Sequence, residues 1–202
     1  ACLAWGGALG LAPADDKLIR VERLLNLDPE SQLIASILAK KLAVGSNSVL
    51  IDIPYGPGAK VSYKQAQLLS EKFRYVARHF NLNIKIILTD GSQPIGNGIG
   101  PVLEMRDIIS VLHQKNPPKD LEEKSILLSA EIFSMLGKCS KEEGILKAQN
   151  LLSSGAALRK FKEIIGAQGK NNILLNPGKF KKEIKAKNSG IITNINNIYI
   201  NE

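Results

Sequence analysis

Two short apolar runs, each followed by a glycine-rich loop, are the feature that most constrains the fold of this chain. The runs are Ser48-Val-Leu-Ile-Asp-Ile-Pro54 and Ile84-Lys-Ile-Ile-Leu-Thr89, and a helical pattern over residues 62–80 separates them. Strands that alternate with helices form βαβ units with parallel strands. The pattern therefore predicts an α/β fold, a parallel sheet with flanking helices, in which ligands bind beyond the carboxyl ends of the strands.

More helices are predicted on both sides of these runs. Asp28 is the expected N-cap of a helix with Pro29 at its first position, and Gly45 is expected to end it. Further helices are predicted over 102–114, 119–136, 140–153 and 155–167. The tail has only short β-like runs, at 190–195 and 197–201. We expect an α/β domain over 1–168, followed over 169–202 by the incomplete start of a small α+β domain.

The formal net charge of +8 invites a nucleic-acid-binding interpretation. Nine Lys and Arg residues against three Asp and Glu residues lie from Arg159 onward, so most of the surplus belongs to the tail. Only 5% of the residues are aromatic, which gives few stacking surfaces for bases. The sequence therefore favours a solvated basic tail and no nucleic-acid partner.

Cysteine spacing and hydropathy indicate the cellular compartment of the protein. Cys2 and Cys139 have neither metal-binding nor redox spacing, so we expect reduced thiols. No apolar run reaches the roughly 18 residues of a membrane helix, and the apolar start of the chain lacks the basic residues of a signal peptide. These features predict a cytoplasmic protein without a membrane partner.

Ser36 and Lys40 interrupt the apolar pattern of the helix that begins near Pro29. Their separation of four residues places the hydroxyl and the ammonium on one face, a turn apart. Such a pair can donate to the oxygen and nitrogen atoms of a heterocycle, although an exposed polar stripe would give the same pattern. His79 and His113 have no second ligand or nucleophile at a meaningful spacing, and we interpret them as structural.

Four segments in register give this chain its resemblance to a known family. They are Leu11-Ala-Pro-Ala-Asp-Asp16, Asp28-Pro-Glu-Ser-Gln-Leu-Ile-Ala-Ser-Ile-Leu-Ala-Lys-Lys-Leu-Ala43, Ile51-Asp-Ile-Pro-Tyr-Gly-Pro-Gly-Ala-Lys60 and Thr89-Asp-Gly-Ser-Gln-Pro-Ile-Gly-Asn-Gly-Ile-Gly-Pro101. Over residues 1–168 the chain resembles the central part of thymidine, pyrimidine nucleoside and AMP phosphorylases. Gly10 and Ala39 depart from residues common in the family, Asn and Ser.

The resemblance implies a pentosyltransferase that cleaves the N-glycosidic bond of a nucleoside with phosphate. Thymidine would give thymine and 2-deoxyribose 1-phosphate. It further implies that Ser36 and Lys40 contact the base, with an upstream arginine that is Arg20 by our choice and Arg23 as the alternative. The family's phosphate-binding residues and active-site histidine lie upstream, so we expect this chain alone to be inactive and the full-length protein to be a homodimer.

AMP is the alternative substrate, which would give adenine and ribose 1,5-bisphosphate. In that branch of the family Asp28 would protonate the leaving purine, and Lys60 would contact AMP. No organic cofactor is expected, but the resemblance implies a monovalent cation at the Ile95 and Gly98 carbonyls and the Asp107 carboxylate. Two other classes stay open, namely a basic nucleic-acid-binding module and a non-catalytic domain that serves assembly.

Overall fold

The computed structural model describes residues 2–3, 9–25, 27, 29–169, 176–196 and 200. These residues divide into two compact units, Leu3–Ser92 and a second one made of Ala1–Cys2 and Gln93–Glu202. The predicted domain boundary at residue 168 stays a prediction.

The first unit is a βαβ motif preceded by two helices. Its elements are α1 (Pro13–Leu25), α2 (Glu30–Ala43), β1 (Ser48–Tyr55), α3 (Tyr63–His79) and β2 (Asn83–Asp90). The two strands pair in parallel, with Ser48 opposite Asn83 and Tyr55 opposite Asp90. The predicted α/β fold with a parallel sheet and flanking helices is confirmed.

Apolar side chains from α2, α3 and the sheet form the core of the first unit. Ala66, Leu69 and Phe73 lie on one face of α3 and are almost fully buried, and Leu38 of α2 is 2% exposed. A Ser62–Gln65 capping box begins α3. Gly45 ends α2 with a positive φ of 71°, a conformation that favours glycine. The core therefore fixes α2 and the strand ends relative to each other.

The start of α2 differs by one residue from the prediction. Pro29 is the N-cap with an extended backbone, and the helix begins at Glu30. A proline that lacks an amide hydrogen fits either position, so sequence alone does not separate them. Asp28, the expected N-cap and proton donor, lies outside the described residues.

The described residues of the second unit form four helices, α4 (Pro101–His113), α5 (Lys119–Met135), α6 (Lys141–Ser153) and α7 (Ala156–Ala167). All four lie within a residue or two of the predicted ranges. Gly144 of α6 lies directly against α5, since a Cβ atom there would be 3.0 Å from the Ala130 Cα. This close approach packs the two helices together.

The tail differs from the prediction. Residues 176–196 contain neither helix nor strand, so the β-like run at 190–195 is not a strand, and most of the run at 197–201 lies outside the described residues. Ile191 and Ile192 are 91% and 79% exposed. An apolar run becomes a strand only where another strand pairs with it, and no described segment pairs with this one.

Cys2 is exposed and Cys139 is half-buried, and no disulfide joins them. Among the described residues, every helix is too short or too polar to cross a bilayer.

Candidate functional site

The Asp15 carboxylate is the centre of a polar cluster between α1 and α2. Asp15 lies in the first turn of α1 and is 7% exposed. Ser36 donates its hydroxyl hydrogen to Asp15 Oδ2 over 2.8 Å, and Gln32 Nε2 donates to Asp15 Oδ1 over 3.0 Å. Both carboxylate oxygens are therefore hydrogen-bonded to side chains of α2.

Lys40 completes the cluster. Its Nζ atom lies 2.7 Å from Asp15 Oδ2 and 3.2 Å from Ser36 Oγ. The predicted contact between Ser36 and Lys40 across one helical turn is thus present in the structure. The Lys40 side chain remains 28% exposed, so it is only partly covered by the protein. The roles of Ser36 and Lys40 as base contacts stay predictions.

The surroundings of Asp15 favour its ionised form. Burial by itself raises the pKa of the carboxyl, but hydrogen bonds from Lys40 and Ser36, the Lys40 charge and the Gln32 hydrogen bond outweigh burial and lower that pKa. An ionised carboxylate can only accept hydrogen bonds. The hydrogen of the Ser36 hydroxyl is consequently directed at Asp15.

Arg20 and Arg23, the two arginines predicted to accompany this cluster, belong to α1. Arg20 is exposed on α1, and within the described part of the chain no hydrogen bond or ion pair joins it to Ser36 or Lys40. Arg23 lies on the same helix, but its side chain is outside what the structure describes. The assignment of either arginine to the base stays a prediction.

Lys60 lies in a cleft of the same unit, apart from the residues of the Asp15 cluster. This exposed lysine follows the first glycine loop and lines a cleft together with Glu30 and Leu33 of α2 and Gln65 of α3. Glu30 is the first residue of α2, so Lys60 is near the helix start rather than at the Asp15 cluster. The cleft offers a cationic side chain beside the end of the helix.

The second glycine loop folds around Asp107 of α4. One carboxylate oxygen, Oδ2, accepts hydrogen bonds from the amides of Asn97 and Gly98, both over 2.7 Å. A Cβ atom at Gly98 would lie 2.6 Å from the Leu103 backbone, so only glycine fits there. The Asp107 carboxylate therefore holds the loop in place.

The three predicted cation ligands line one cleft of the second unit, since Ile95, Gly98 and Asp107 all border it. Among the described residues, no group of three His, Cys, Asp or Glu side chains forms a metal site. The predicted site relies on two backbone carbonyls instead, and it stays a prediction.

Asp15 is the residue that sequence reasoning did not assign. It belongs to the segment 11–16 that resembles the family, but its helix was not predicted. Pro13 followed by two acidic residues, Asp15 and Asp16, is a helix-start signal that would have predicted α1. The contact itself joins residues 21 and 25 positions apart, which no helical period predicts.

Curated proteins from several bacteria are similar to this chain along nearly its whole length. A protein named "Putative thymidine phosphorylase" from Ralstonia nicotianae is 49% identical over 99% of this chain. Proteins of Rhodopseudomonas palustris, with the same name, and Cupriavidus necator, named "Putative thymidine phosphorylase 1", are 45% and 47% identical. The chain spans only about 40% of the length of these relatives. No protein-family model matches the chain.

Proposed function

Because this chain belongs to the same family as those relatives, we propose that the full-length protein cleaves pyrimidine nucleosides with phosphate. Thymidine would yield thymine and 2-deoxyribose 1-phosphate. The observation that carries the proposal is the Asp15–Ser36–Lys40 cluster, a fixed acceptor beside an accessible cation. In this proposal, the chain supplies the base-binding part of the site.

The cluster suits a leaving pyrimidine. Phosphorolysis passes through an oxocarbenium-like transition state in which the departing base gains negative charge, as the leaving group does in glycoside hydrolysis. Of the three ammonium hydrogens of Lys40, one is directed at Asp15 and one at Ser36. The third can bind a carbonyl oxygen of the base, where a preorganised donor contributes about 10²–10³-fold to turnover.

Other properties of the full-length protein follow only from the family resemblance. We propose a cytoplasmic homodimer that needs no organic cofactor and holds a monovalent cation at Ile95, Gly98 and Asp107. The phosphate-binding residues would lie outside this chain, and the chain alone would then be inactive.

AMP is the second candidate substrate, and Lys60 is the observation that favours it. An exposed lysine in a cleft beside the start of α2 can bind a 5′-phosphate. In this alternative, Asp28 would protonate the leaving purine. Lys60→Ala should then impair AMP cleavage far more than thymidine cleavage, and equal effects on both would contradict a phosphate contact.

Base release by the full-length protein tests the proposed function. Thymidine, uridine and AMP are incubated with the protein in parallel, with and without phosphate, and the free bases are quantified by chromatography. Phosphate-dependent release from thymidine or uridine is the expected result. Release of adenine from AMP alone would support AMP as the substrate. Release of no base from any of the three would favour the non-catalytic alternative.

A further inference from the structure

We propose that Asp15 is a positioning residue, which makes Ser36 a hydrogen-bond acceptor for the base and directs the Lys40 ammonium. Asp15 would act through these two residues and would not touch the substrate. The proposal deepens the proposed function and rests on it for the identity of the ligand.

The packing of α1 indicates that this carboxylate is placed for its polar contacts. Asp15 is the one buried residue among the described side chains of α1. The apolar residues Leu18, Val21, Leu24 and Leu25 of the same helix are between 49% and 86% exposed. Ile19 is half-buried, so among the described side chains of α1 the carboxylate of Asp15 is the most buried contact with α2.

The effect of Asp15 on Ser36 follows from the number of hydrogen-bond donors and acceptors that a serine hydroxyl has. A serine hydroxyl has a single hydrogen, and here that hydrogen is given to Asp15 Oδ2 over 2.8 Å. The lone pairs of Ser36 Oγ then face Lys40, at 3.2 Å, and the substrate. Ser36 can thus accept from a ring N–H, while the adjacent ammonium donates to a neighbouring carbonyl oxygen.

This combination selects one kind of base edge. Uracil and thymine have an N–H between two carbonyl oxygens, which matches an acceptor beside a donor. Without Asp15, the Ser36 hydroxyl would rotate freely and could donate as well as accept. When a base lacks the ring N–H, the Ser36 acceptor is left without a hydrogen-bond donor in the complex. An unpaired polar group in a binding site lowers the affinity for that base.

A purely structural clamp between α1 and α2 is the competing explanation, and two variants separate it from positioning. Gln32 binds the opposite oxygen, Oδ1, so Gln32→Ala weakens the link between the helices without touching the Lys40 contact. Asp16→Asn removes a charge from the same helical turn without altering the cluster. Asp15→Asn keeps the shape of the side chain and removes its charge.

The experiment compares these variants in the full-length protein by steady-state kinetics. Misplaced contacts of this kind cost up to about 100-fold in rate. We expect Asp15→Asn to lower kcat for thymidine or uridine by about that factor, with a smaller change in KM, and Asp15→Glu to restore part of the loss. Asp16→Asn should stay near wild type, and Gln32→Ala, which frees the Oδ1 atom of Asp15, should lower kcat much less than Asp15→Asn. Equal kcat values for Asp15→Asn and Gln32→Ala in an active protein would overturn the proposal and favour the clamp.

Amine labelling provides a readout that does not depend on activity. An acetylating N-hydroxysuccinimide ester is applied briefly, and mass spectrometry gives the ratio of modified Lys40 to modified Lys41, its exposed neighbour. Because an amine must leave its ion pair before it reacts, the ratio should rise several-fold in Asp15→Asn and stay constant in Asp16→Asn. An unchanged ratio would overturn the proposal whatever the activity. An inactive wild type with a raised ratio would contradict the proposed function while supporting the hold of Asp15 on Lys40.

Discussion

At the scale of single residues, one oxygen atom organises the candidate site. Asp15 Oδ2 accepts from Ser36 and Lys40 at the same time, over 2.8 and 2.7 Å. Charge-assisted hydrogen bonds of this length are stronger than neutral ones, and removal of one partner leaves the other with an unmet group. Substitutions at these three positions should consequently affect stability and turnover together.

Lys40→Ala is the most direct test of the role in turnover. We expect kcat of the full-length protein to fall by about 10²–10³-fold, because the leaving base loses its cation. The free energy of unfolding should fall by about 1–3 kcal/mol, since Asp15 stays buried without its partner. Lys41→Ala, at the exposed neighbouring position, is the control for loss of a positive charge from the same helical turn. Near-normal turnover in Lys40→Ala would refute the assignment.

The lowered pKa of Asp15 predicts how stability depends on pH. A carboxyl whose pKa is lower in the folded state contributes stability that is fully present above its unfolded pKa of about 3.9. That contribution is lost as the pH falls through the lower, folded value. Urea unfolding from about pH 7 to pH 2.5 should therefore show a difference between wild type and Asp15→Asn that shrinks in acid. Asp16→Asn should keep the wild-type dependence, and a constant difference for Asp15→Asn would contradict the lowered pKa.

Sequence spacing predicted half of this site. Ser36 and Lys40 share one helix, so a period of 3.6 residues places them together. Asp15 comes from another helix, and its contact depends on how α1 meets α2, which no local pattern encodes. For the same reason, no motif predicts that Lys60 lies near Glu30, because three separate segments form that cleft.

At the scale of elements, the predictions agree with the structure where the sequence has strong periodicity and clear turn or helix-capping residues. The strands, α3 and the four helices of the second unit agree with their predicted ranges because turn residues or capping boxes bound many of them, as at Ser62 and Ser140. Helix α1 was not predicted, although Leu18, Val21 and Leu25 recur at helical spacing after a helix-start signal. The run at 190–195 is not a strand because no described strand pairs with it, although the Gln93 side chain is hydrogen-bonded to Asn194 and Ile195.

The contact between α5 and α6 gives a prediction at this scale. A Cβ atom at Gly144 would lie 3.0–3.2 Å from Ala130 atoms, so Gly144→Leu should force the helices apart and cost about 1–3 kcal/mol. Gly166→Leu is the matched control, because nothing lies within 4 Å of a Cβ atom there and α7 is exposed at that point. Urea unfolding of both variants measures the difference. Equal stabilities would show that α5 and α6 are not closely packed at Gly144.

At the scale of the whole molecule, the positive charge is concentrated in the C-terminal part of the sequence. The formal net charge is +8, and five lysines lie between residues 179 and 187 in a segment whose side chains are all exposed. An exposed array of cations that contacts only phosphates binds nucleic acid without base readout. Net charge alone therefore gives little support to the nucleic-acid alternative.

Replacement of these tail lysines by glutamine separates phosphorolysis from nucleic-acid binding. The five positions are Lys179, Lys181, Lys182, Lys185 and Lys187. Phosphorolysis by the full-length protein should be unchanged, while any DNA binding seen in gel shifts at low salt should disappear. Wild-type binding that persists at about 200 mM salt would instead favour a true nucleic-acid-binding module.

The attachment of α1 through Asp15 has a consequence for dissecting the molecule. A shortened version that began after residue 16 would keep both strands, α3 and every buried apolar residue of the first unit. Circular dichroism would then report a folded protein, although Lys40 would have lost its counter-ion. We therefore expect that folding of the first unit and possession of the Asp15 cluster require different starting points of the chain, a difference that deletion mapping by solubility alone would not detect.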